Sequence, residues 1–220
     1  VLLGFLKEQP FHSFHIPISY FSNYLKKLLN AEINAFFNYS IMSAPLHPSL
    51  VQKVKWFIGN FFSLKNFGIY RSFGTKKIVK PKITLNQRQR ASVKLIEINQ
   101  KIISKNDILD IQIDGIKIGD LVYDTYLKSQ MKPTVDIRDE KFKEILFDFC
   151  KLYYFWKDYF NSNNVKSVVG VHTAYSFGLP LRIAVHSDIT TYAVGMRKIN
   201  LISKKMPYYG GEHINFPEMF

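Results

Sequence analysis

Blocks of apolar residues along this chain alternate with segments of helical periodicity. Apolar runs predict strands at residues 1–6, 33–37, 165–171 and 189–194, and shorter strands at 69–71 and 107–113. Apolar strands that alternate with helices are typical of a parallel sheet covered on both faces. The pattern therefore predicts the α/β class: a Rossmann-like layered domain with a mostly parallel sheet and helices on both faces.

Helical periodicity predicts helices at residues 19–29, 51–64, 85–103, 139–160 and 179–186. The helix at 139–160 has one wide apolar stripe, formed by Phe142, Ile145, Leu146, Phe149, Tyr153, Trp156 and Phe160. The helix at 51–64 follows Ser49, which we expect to be its cap. Its stripe comprises Val51, Val54, Phe57, Ile58, Phe61 and Phe62, with Lys53 and Lys55 off the stripe. We expect this second stripe to pack onto the sheet.

Length and composition predict one domain over residues 1–220 in preference to two small ones, with 47% hydrophobic residues available for a core. No apolar run approaches the roughly 20 residues of a membrane-spanning helix. The chain opens at Val1 without an initiator Met or the features of a signal peptide, so we expect a piece of a longer protein. Cys150 is the only cysteine, which suits a reducing compartment and predicts a buried packing residue.

Positive charge is concentrated in the first part of the chain. Residues 1–95 carry 14 Lys and Arg but only two acids, Glu8 and Glu32, whereas residues 96–220 carry 16 against 15. Such asymmetry is typical of a surface that meets nucleic acid, anionic lipid or a phosphate-bearing substrate. The alternative is a solvated lysine-rich surface.

One candidate site lies in the segment at 113–126, directly after a predicted strand. Gly115 and Gly119 permit close backbone approach, and Asp120 and Asp124 would share one helix face. Paired carboxylates can bind sugar hydroxyls, hold a divalent cation or act as a general base. The structural alternative is a hairpin turn followed by a helix start, with Asp120 as the cap.

A second candidate site lies at 168–184, where a predicted strand runs into a glycine-containing loop. His172 would lie at the carboxyl end of that strand, where ligands collect in such sheets, and its imidazole can act as a general base. Arg182 would face a phosphate or pair with a carboxylate. The alternative for His172 is a hydrogen-bonded structural residue.

Several other site types are not predicted. The glycine spacing fails the dinucleotide-binding pattern, and there is no phosphate-binding loop of the Gly-Lys-Ser/Thr type. No histidine and acid cluster has metal-ligand spacing, so neither a metal nor a cofactor is expected. His12 and His15 could line a cleft near the first strand, His47 belongs to a predicted helix start, and His186 and His213 have no obvious partners.

Two segments carry a resemblance to a known family. The runs IDGIKIGDLVYDTYL at 113–127 and VHTAYSFGLPLRIA at 171–184 resemble bacterial capsule and lipopolysaccharide biosynthesis proteins of glycosyltransferase-like GT-B architecture. The resemblance spans roughly residues 65–195. It implies a two-domain enzyme, of which this chain is the N-terminal, acceptor-side half, with the donor domain beyond Phe220.

The resemblance also implies roles for individual residues. His172 would deprotonate an acceptor hydroxyl in an inverting sugar transfer, and the acceptor, a carbohydrate or lipid-linked molecule, would contact Gly119, Asp120, Asp124, Tyr175 and Arg182. The nucleotide-sugar donor would bind the missing domain. The protein would then work in the cytoplasm, at the inner face of the plasma membrane. There, an anionic membrane or a phosphate would contact Lys53, Lys55, Lys76, Lys77 and Lys80.

Two alternatives to sugar transfer stay open. A basic nucleic-acid-binding module would explain the charge, but the chain lacks the marks of known nucleic-acid-binding motifs, so nucleic acid is not an expected partner. A non-catalytic interaction domain would be favoured if the segments at 113–126 and 172–182 were far apart.

Overall fold

A computed structural model describes residues 1–5, 12–37, 49–171, 173–195 and 198–207. Within these ranges the chain forms a six-stranded, mostly parallel sheet with helices around it, which confirms the predicted α/β class. The strands of this sheet are β1 (Leu2–Phe5), β2 (Ile33–Phe37), β3 (Thr75–Val79), β6 (Ser167–Gly170), β7 (Thr190–Val194) and β8 (Ile199–Ile202). A separate hairpin pairs β4 (Gln112–Ile113) with β5 (Ile116–Lys117).

Seven α-helices are described, together with one short 3₁₀ helix. They are α1 (His12–Leu28), α2 (Leu50–Phe61), α3 (Asn66–Ser72), α4 (Leu85–Asn99), α5 (Gly119–Gln130), α6 (Glu140–Ser162) and α7 (Tyr175–His186), with the 3₁₀ helix at Asn106–Asp110. Helices α1 and α3 pack against each other, while α4, α6 and α7 form a second group. If the crossovers between parallel strands are right-handed, as is the rule, these two groups lie on opposite faces of the sheet.

The strand order defines where the chain reverses its direction of travel across the sheet. The order is β3-β2-β1-β6-β7-β8, and all neighbours are parallel except β7 and β8. From β1 the chain moves outward through β2 to β3, and it returns to place β6 on the other side of β1. The switch point of this doubly wound sheet therefore lies between the carboxyl ends of β1 and β6.

Helix starts follow local capping rules where the sequence supplies a cap. Ser49 Oγ accepts a hydrogen bond from the Gln52 amide at 3.3 Å, and the Gln52 side chain accepts one from the Ser49 amide at 2.9 Å. This reciprocal arrangement is a capping box, and it confirms Ser49 as the cap of α2. Thr84 and Gln87 form a second one at the start of α4.

Two predicted strands were wrong, and two strands of the sheet were missed. Residues 69–71 belong to helix α3 instead of a strand. The edge strand that follows, β3, was missed because its first residues, Thr75-Lys76-Lys77, are polar and do not form an apolar run. Most of the predicted strand at 107–113 is 3₁₀ helix, and only its last two residues are extended. Strand β8 has an irregular burial pattern and was not predicted.

The two amphipathic helices behave differently in the fold. The predicted stripe of α6 is buried throughout, and Trp156 contacts Phe36 of β2 edge-to-face at 5.1 Å between ring centroids. The predicted stripe of α2 is exposed, so the expectation that it packs onto the sheet was wrong. Helix α2 instead buries the opposite side, through Trp56 and Gly59. A periodic stripe shows that a helix is two-sided, but it does not identify what covers the apolar side.

Candidate functional site between helices α5 and α7

The segment at 113–126 folds as a tight hairpin followed by helix α5. Asp114 and Gly115 form the turn, with positive φ angles of +51° and +77°. Such angles suit a two-residue hairpin turn with glycine at its second position. The hairpin and helix start therefore agree with the structural alternative, but the cap does not: the N-cap residue of α5 is Ile118, and Asp120 lies inside the first turn.

Gly119 lies where α5 packs against the 3₁₀ helix. A Cβ atom at this position would lie 1.8 Å from the carbonyl oxygen of Ile108, far inside van der Waals contact. The Gly119 amide also donates a hydrogen bond to the Ile111 carbonyl at 3.1 Å. Gly119 is buried, and the absence of a side chain lets α5 contact the 3₁₀ helix. The acceptor contact assigned to Gly119 stays a prediction.

The two candidate segments meet in a partly buried ion pair between α5 and α7. Arg182 donates from Nη1 to Asp120 Oδ1 at 2.7 Å and from Nη2 to Asp120 Oδ2 at 2.6 Å. Nη1 also donates to the Lys117 carbonyl at 2.7 Å, which ties the hairpin to the same group. The Arg182 side chain is only 3% exposed. Of the two partners considered for Arg182, the structure gives it the carboxylate, in a bidentate pair that cross-links two helices.

Asp124 lies one helical turn after Asp120 and is open to solvent. Partial burial raises the pKa of the Asp124 carboxyl, the negative charge of Asp120 raises it further, and Arg182 opposes the shift. The predicted shared face of the two carboxylates is therefore present, and it leaves Asp124 as a solvent-accessible carboxyl that holds its proton more tightly than usual.

The same face continues to Lys128, which the sequence reasoning did not single out. Lys128 Nζ lies over the ring of Tyr175, 5.6 Å from its centroid. Helices α5 and α7 thus run antiparallel, with the Asp120–Arg182 pair at one end and the Lys128–Tyr175 contact at the other. The four-residue spacing that linked Asp120 to Asp124 also links Asp124 to Lys128. This spacing is the sequence signal that could have identified Lys128.

Tyr175 begins α7 in a backbone conformation that side chains seldom adopt. Its φ is +54°, in the left-handed region, and it comes directly after the loop that leaves β6. In the next turn Gly178 packs on that loop, because a Cβ there would lie 2.0 Å from the Thr173 carbonyl oxygen. Strained backbone held by close packing is a recurrent feature of binding sites. The start of α7 is therefore a fixed structure at the carboxyl end of β6.

The histidines have different places in the chain. His172, the candidate base, lies outside the described residues, between the buried Val171 and Thr173 that follow β6. His15 is buried, and its Nδ1 lies 3.0 Å from the Tyr70 hydroxyl, so it does not line a cleft. His186 is exposed at the far end of α7. The predicted role of His172 stays a prediction.

The five lysines predicted to contact membrane or phosphate do not form one cluster. Lys53 and Lys55 lie on α2, and Lys80 follows β3, with its Nζ 5.4 Å from the Phe37 ring centroid and 5.5 Å from that of Trp56. Lys76 and Lys77 lie near the amino end of β3, and Lys76 pairs with Glu32 at 2.5 Å. Four residues of strand separate Lys76 from Lys80 by about 13 Å.

Two cavities lie near opposite edges of the sheet. One of about 420 Å³, lined largely by apolar and aromatic groups, lies near the carboxyl end of β7 and the middle of α1. Its lining includes Pro17, Tyr20, Phe21, Tyr24, Val194 and Ile199. The other, of about 270 Å³, lies by the hairpin and the end of α7, and its lining includes Lys117, Arg182 and Lys205. Arg182 therefore faces the amino edge of the sheet, away from the start of α7.

Comparison with known proteins gives no relative: no protein-family model, curated protein or solved structure matches this chain. Within the described ranges, no helix has the length and apolar character needed to cross a membrane. No group of three or more His, Cys, Asp or Glu side chains in the same ranges is arranged to hold a metal ion. Cys150 is buried, and burial raises the pKa of its thiol to about 12, so its predicted packing role is confirmed.

Proposed function

We propose that this chain is the acceptor-binding half of a glycosyltransferase that uses a nucleotide-sugar donor in bacterial surface polysaccharide synthesis. The observation that carries the proposal is the position of the segment at 171–175. It leaves β6 at the switch point of a doubly wound sheet, where ligands of such folds bind. The resemblance of that segment to capsule and lipopolysaccharide biosynthesis proteins suggests the reaction, which is sugar transfer.

In the proposed reaction His172 is the general base. Its neutral imidazole accepts the proton of an acceptor hydroxyl while that oxygen bonds to the anomeric carbon of the donor sugar. The bond from that carbon to the donor phosphate breaks on the opposite face, and the nucleotide leaves with the electron pair. The product has an inverted anomeric centre, and the proton remains on the imidazole until solvent removes it.

The α5–α7 face contributes to the proposed acceptor side in two ways. Asp124, with its accessible carboxyl, and Tyr175 offer a hydrogen-bonding group and a ring, a combination that suits a sugar. Asp120 and Arg182 hold the two helices in register, because their bidentate pair joins α5 to α7. A non-catalytic interaction domain would be favoured if the two candidate segments were far apart. Asp120 and Arg182, one from each segment, are instead in direct contact.

The location proposed for this activity is the cytoplasm, at the inner face of the plasma membrane. Lipid-linked acceptors are presented there, and the surface is anionic.

A donor panel tests the proposal with the full-length protein. Nucleotide release is measured from uridine-, guanosine- and cytidine-activated sugars, with and without a lipid extract as acceptor. We expect acceptor-dependent release from at least one donor. His172→Ala should lower that rate about 100- to 10,000-fold, the range of general-base contributions.

His186→Ala is the matched control, because His186 is an exposed histidine at the other end of α7. It should keep the wild-type rate. Absence of release from every donor, or equal rates for the two histidine variants, would contradict the proposal.

A further inference from the structure

Helix α2 presents an unusually apolar surface to solvent. Leu50, Val51, Val54, Phe57, Ile58 and Phe61 lie on one side of the helix and are each at least 42% exposed, and Phe62 and Leu64 extend this set beyond its end. Phe57 and Phe61, both 68% exposed, stack on each other with centroids 6.1 Å apart. We call these eight residues the α2 surface. Monomeric proteins seldom leave a contiguous apolar patch of this kind without a partner.

Positive charges border the α2 surface, and no acid lies near it in the sequence. At 3.6 residues per turn, Lys53 and Lys55 fall on opposite sides of the stripe, roughly 90–110° from its centre. Both are exposed. Residues 33–96 contain no Asp or Glu at all. The surface is therefore an apolar strip between two cationic margins, within a segment that carries only positive charge.

The inner side of α2 is anchored firmly enough to keep the strip facing outward. The buried Trp56 packs on Phe37 with ring centroids 4.9 Å apart. Gly59 lets the ring of Phe67 approach closely: a Cβ there would lie 2.9 Å from it. Because Phe37 ends β2, this anchor lies at the carboxyl end of the strand. The outward strip therefore adjoins the edge of the sheet where ligands of such folds bind.

We propose that the α2 surface docks onto an anionic lipid bilayer, with its rings and aliphatic side chains in the headgroup boundary and its lysines at the phosphates. An apolar face bordered by lysines is the composition of helices that lie in the plane of a membrane interface. This inference rests on the proposed function only for the choice of the cytoplasmic leaflet. It differs from contact by lysines alone, since the rings face the lipid.

Two other occupants fit the surface less well. In a two-fold contact between copies, the lysine margins of one copy would meet those of the other, and like charges repel. Single-stranded nucleic acid stacks on aromatic rings, whereas four of the six α2-surface residues on the helix are Leu, Val or Ile, which offer no stacking platform. Hydrocarbon accepts aliphatic and aromatic groups alike.

Vesicle binding tests the inference without any sugar donor. The full-length protein is sedimented with vesicles of phosphatidylcholine alone and with vesicles that contain about 30 mol% phosphatidylglycerol. We expect binding to the anionic vesicles, weakened at least tenfold by Phe57→Ser with Phe61→Ser, since each buried phenyl ring contributes about tenfold to partitioning. Lys53→Glu with Lys55→Glu should weaken it by about the same factor.

Matched pairs on other surfaces control for general hydrophobicity and charge. Tyr20→Ser with Tyr24→Ser removes two exposed rings from α1, and Lys204→Glu with Lys205→Glu reverses two exposed lysines near the end of the described chain. Both should leave vesicle binding within about twofold of wild type. Because the altered α2 side chains are exposed, all variants should keep the wild-type unfolding midpoint, measured in urea.

A direct contact measurement completes the test. Phe57→Trp places an indole on the α2 surface, whereas the native Trp56 and Trp156 are buried. Brominated acyl chains should quench its fluorescence. Lack of wild-type binding to anionic vesicles, an unchanged affinity of the Phe57 and Phe61 variant, or a dimer in lipid-free solution that this variant converts to monomer would each overturn the inference. Sugar transfer to a soluble acceptor would be unaffected by any of these results, so the two proposals fail separately.

Discussion

Helices α2 and α6 have similar patterns in sequence and opposite environments in the structure. The stripe of α6 is at most 6% exposed at each of its seven predicted positions, whereas that of α2 is at least 42% exposed at each of its six. The polar side of α6 mixes both signs, with Lys141–Glu144 and Lys143–Glu140 pairs, while α2 carries lysines only. Similar hydrophobic periodicity thus serves the core in one helix and a solvent-facing surface in the other.

The largest expected effect is the loss of a ring from the covered stripe. Phe149→Ala should lower the free energy of unfolding by about 3–5 kcal/mol, because Phe149 is buried and a cavity would remain. Phe61→Ala, the matched change on α2, should alter it by no more than about 0.5 kcal/mol. Urea unfolding monitored by circular dichroism measures both. Equal losses would mean that α2 is covered by another part of the chain.

A smaller effect is expected where a charged cross-link joins two helices. Arg182→Met keeps the aliphatic length but leaves the Asp120 carboxylate without its bidentate partner. We expect a loss of about 3 kcal/mol, the lower end for a broken buried pair, because Asp120 retains 22% exposure. Thermal or urea unfolding provides the measurement. Lys204→Ala, which breaks the exposed pair with Asp188, is the control and should leave the midpoint unchanged.

The smallest effect is a pH dependence in the acidic α5 region, which the acid-free α2 region cannot show. Since folding raises the pKa of Asp124, its stabilising contribution is present below the unfolded pKa and is lost as pH rises through the folded pKa. Asp124→Asn removes this loss. The variant should match wild type near pH 3 and be more stable towards neutral pH, as urea midpoints measured across about pH 3–7 will show.

Asp114→Asn supplies a control of opposite sign. A hydrogen bond from Lys157, followed by one from Tyr153, lowers the pKa of Asp114, so its contribution is present above the unfolded pKa and lost as pH falls through the folded pKa. This variant should be less stable than wild type at neutral pH and approach it in acid. If both variants shifted in the same direction, the assigned causes of the pKa shifts would be wrong.

Much of the element order followed from local sequence. Apolar runs located β1, β2, β6 and β7, and Ser49 was correctly identified as the cap of α2. Local pattern failed where few residues carry it: in the short segment 69–71, Ile69 and Tyr70 fit a strand as well as a short helix. The edge strand β3 was missed because its lysines face solvent, where no apolar alternation is required.

The candidate site was only partly within reach of the sequence. Helical spacing placed Asp120 and Asp124 on one face, because that relation depends on a single helix. The Asp120–Arg182 pair joins residues 62 apart in sequence, and spacing within one helix gives no measure of such a contact. It is for this reason that Arg182 was assigned to a phosphate or an acceptor as readily as to a carboxylate.

By itself, the sequence determined the α/β class, the amphipathic nature of α2 and α6 and the charge asymmetry, because each depends on residues close together in the chain. Only the tertiary structure decided which apolar stripe is covered, which charges pair, and that the segments at 113–126 and 171–184 meet. The physical reason is that a hydrophobic face gains free energy from any apolar cover. Sequence periodicity creates the face, and the arrangement of the whole sheet determines whether protein or another medium covers it.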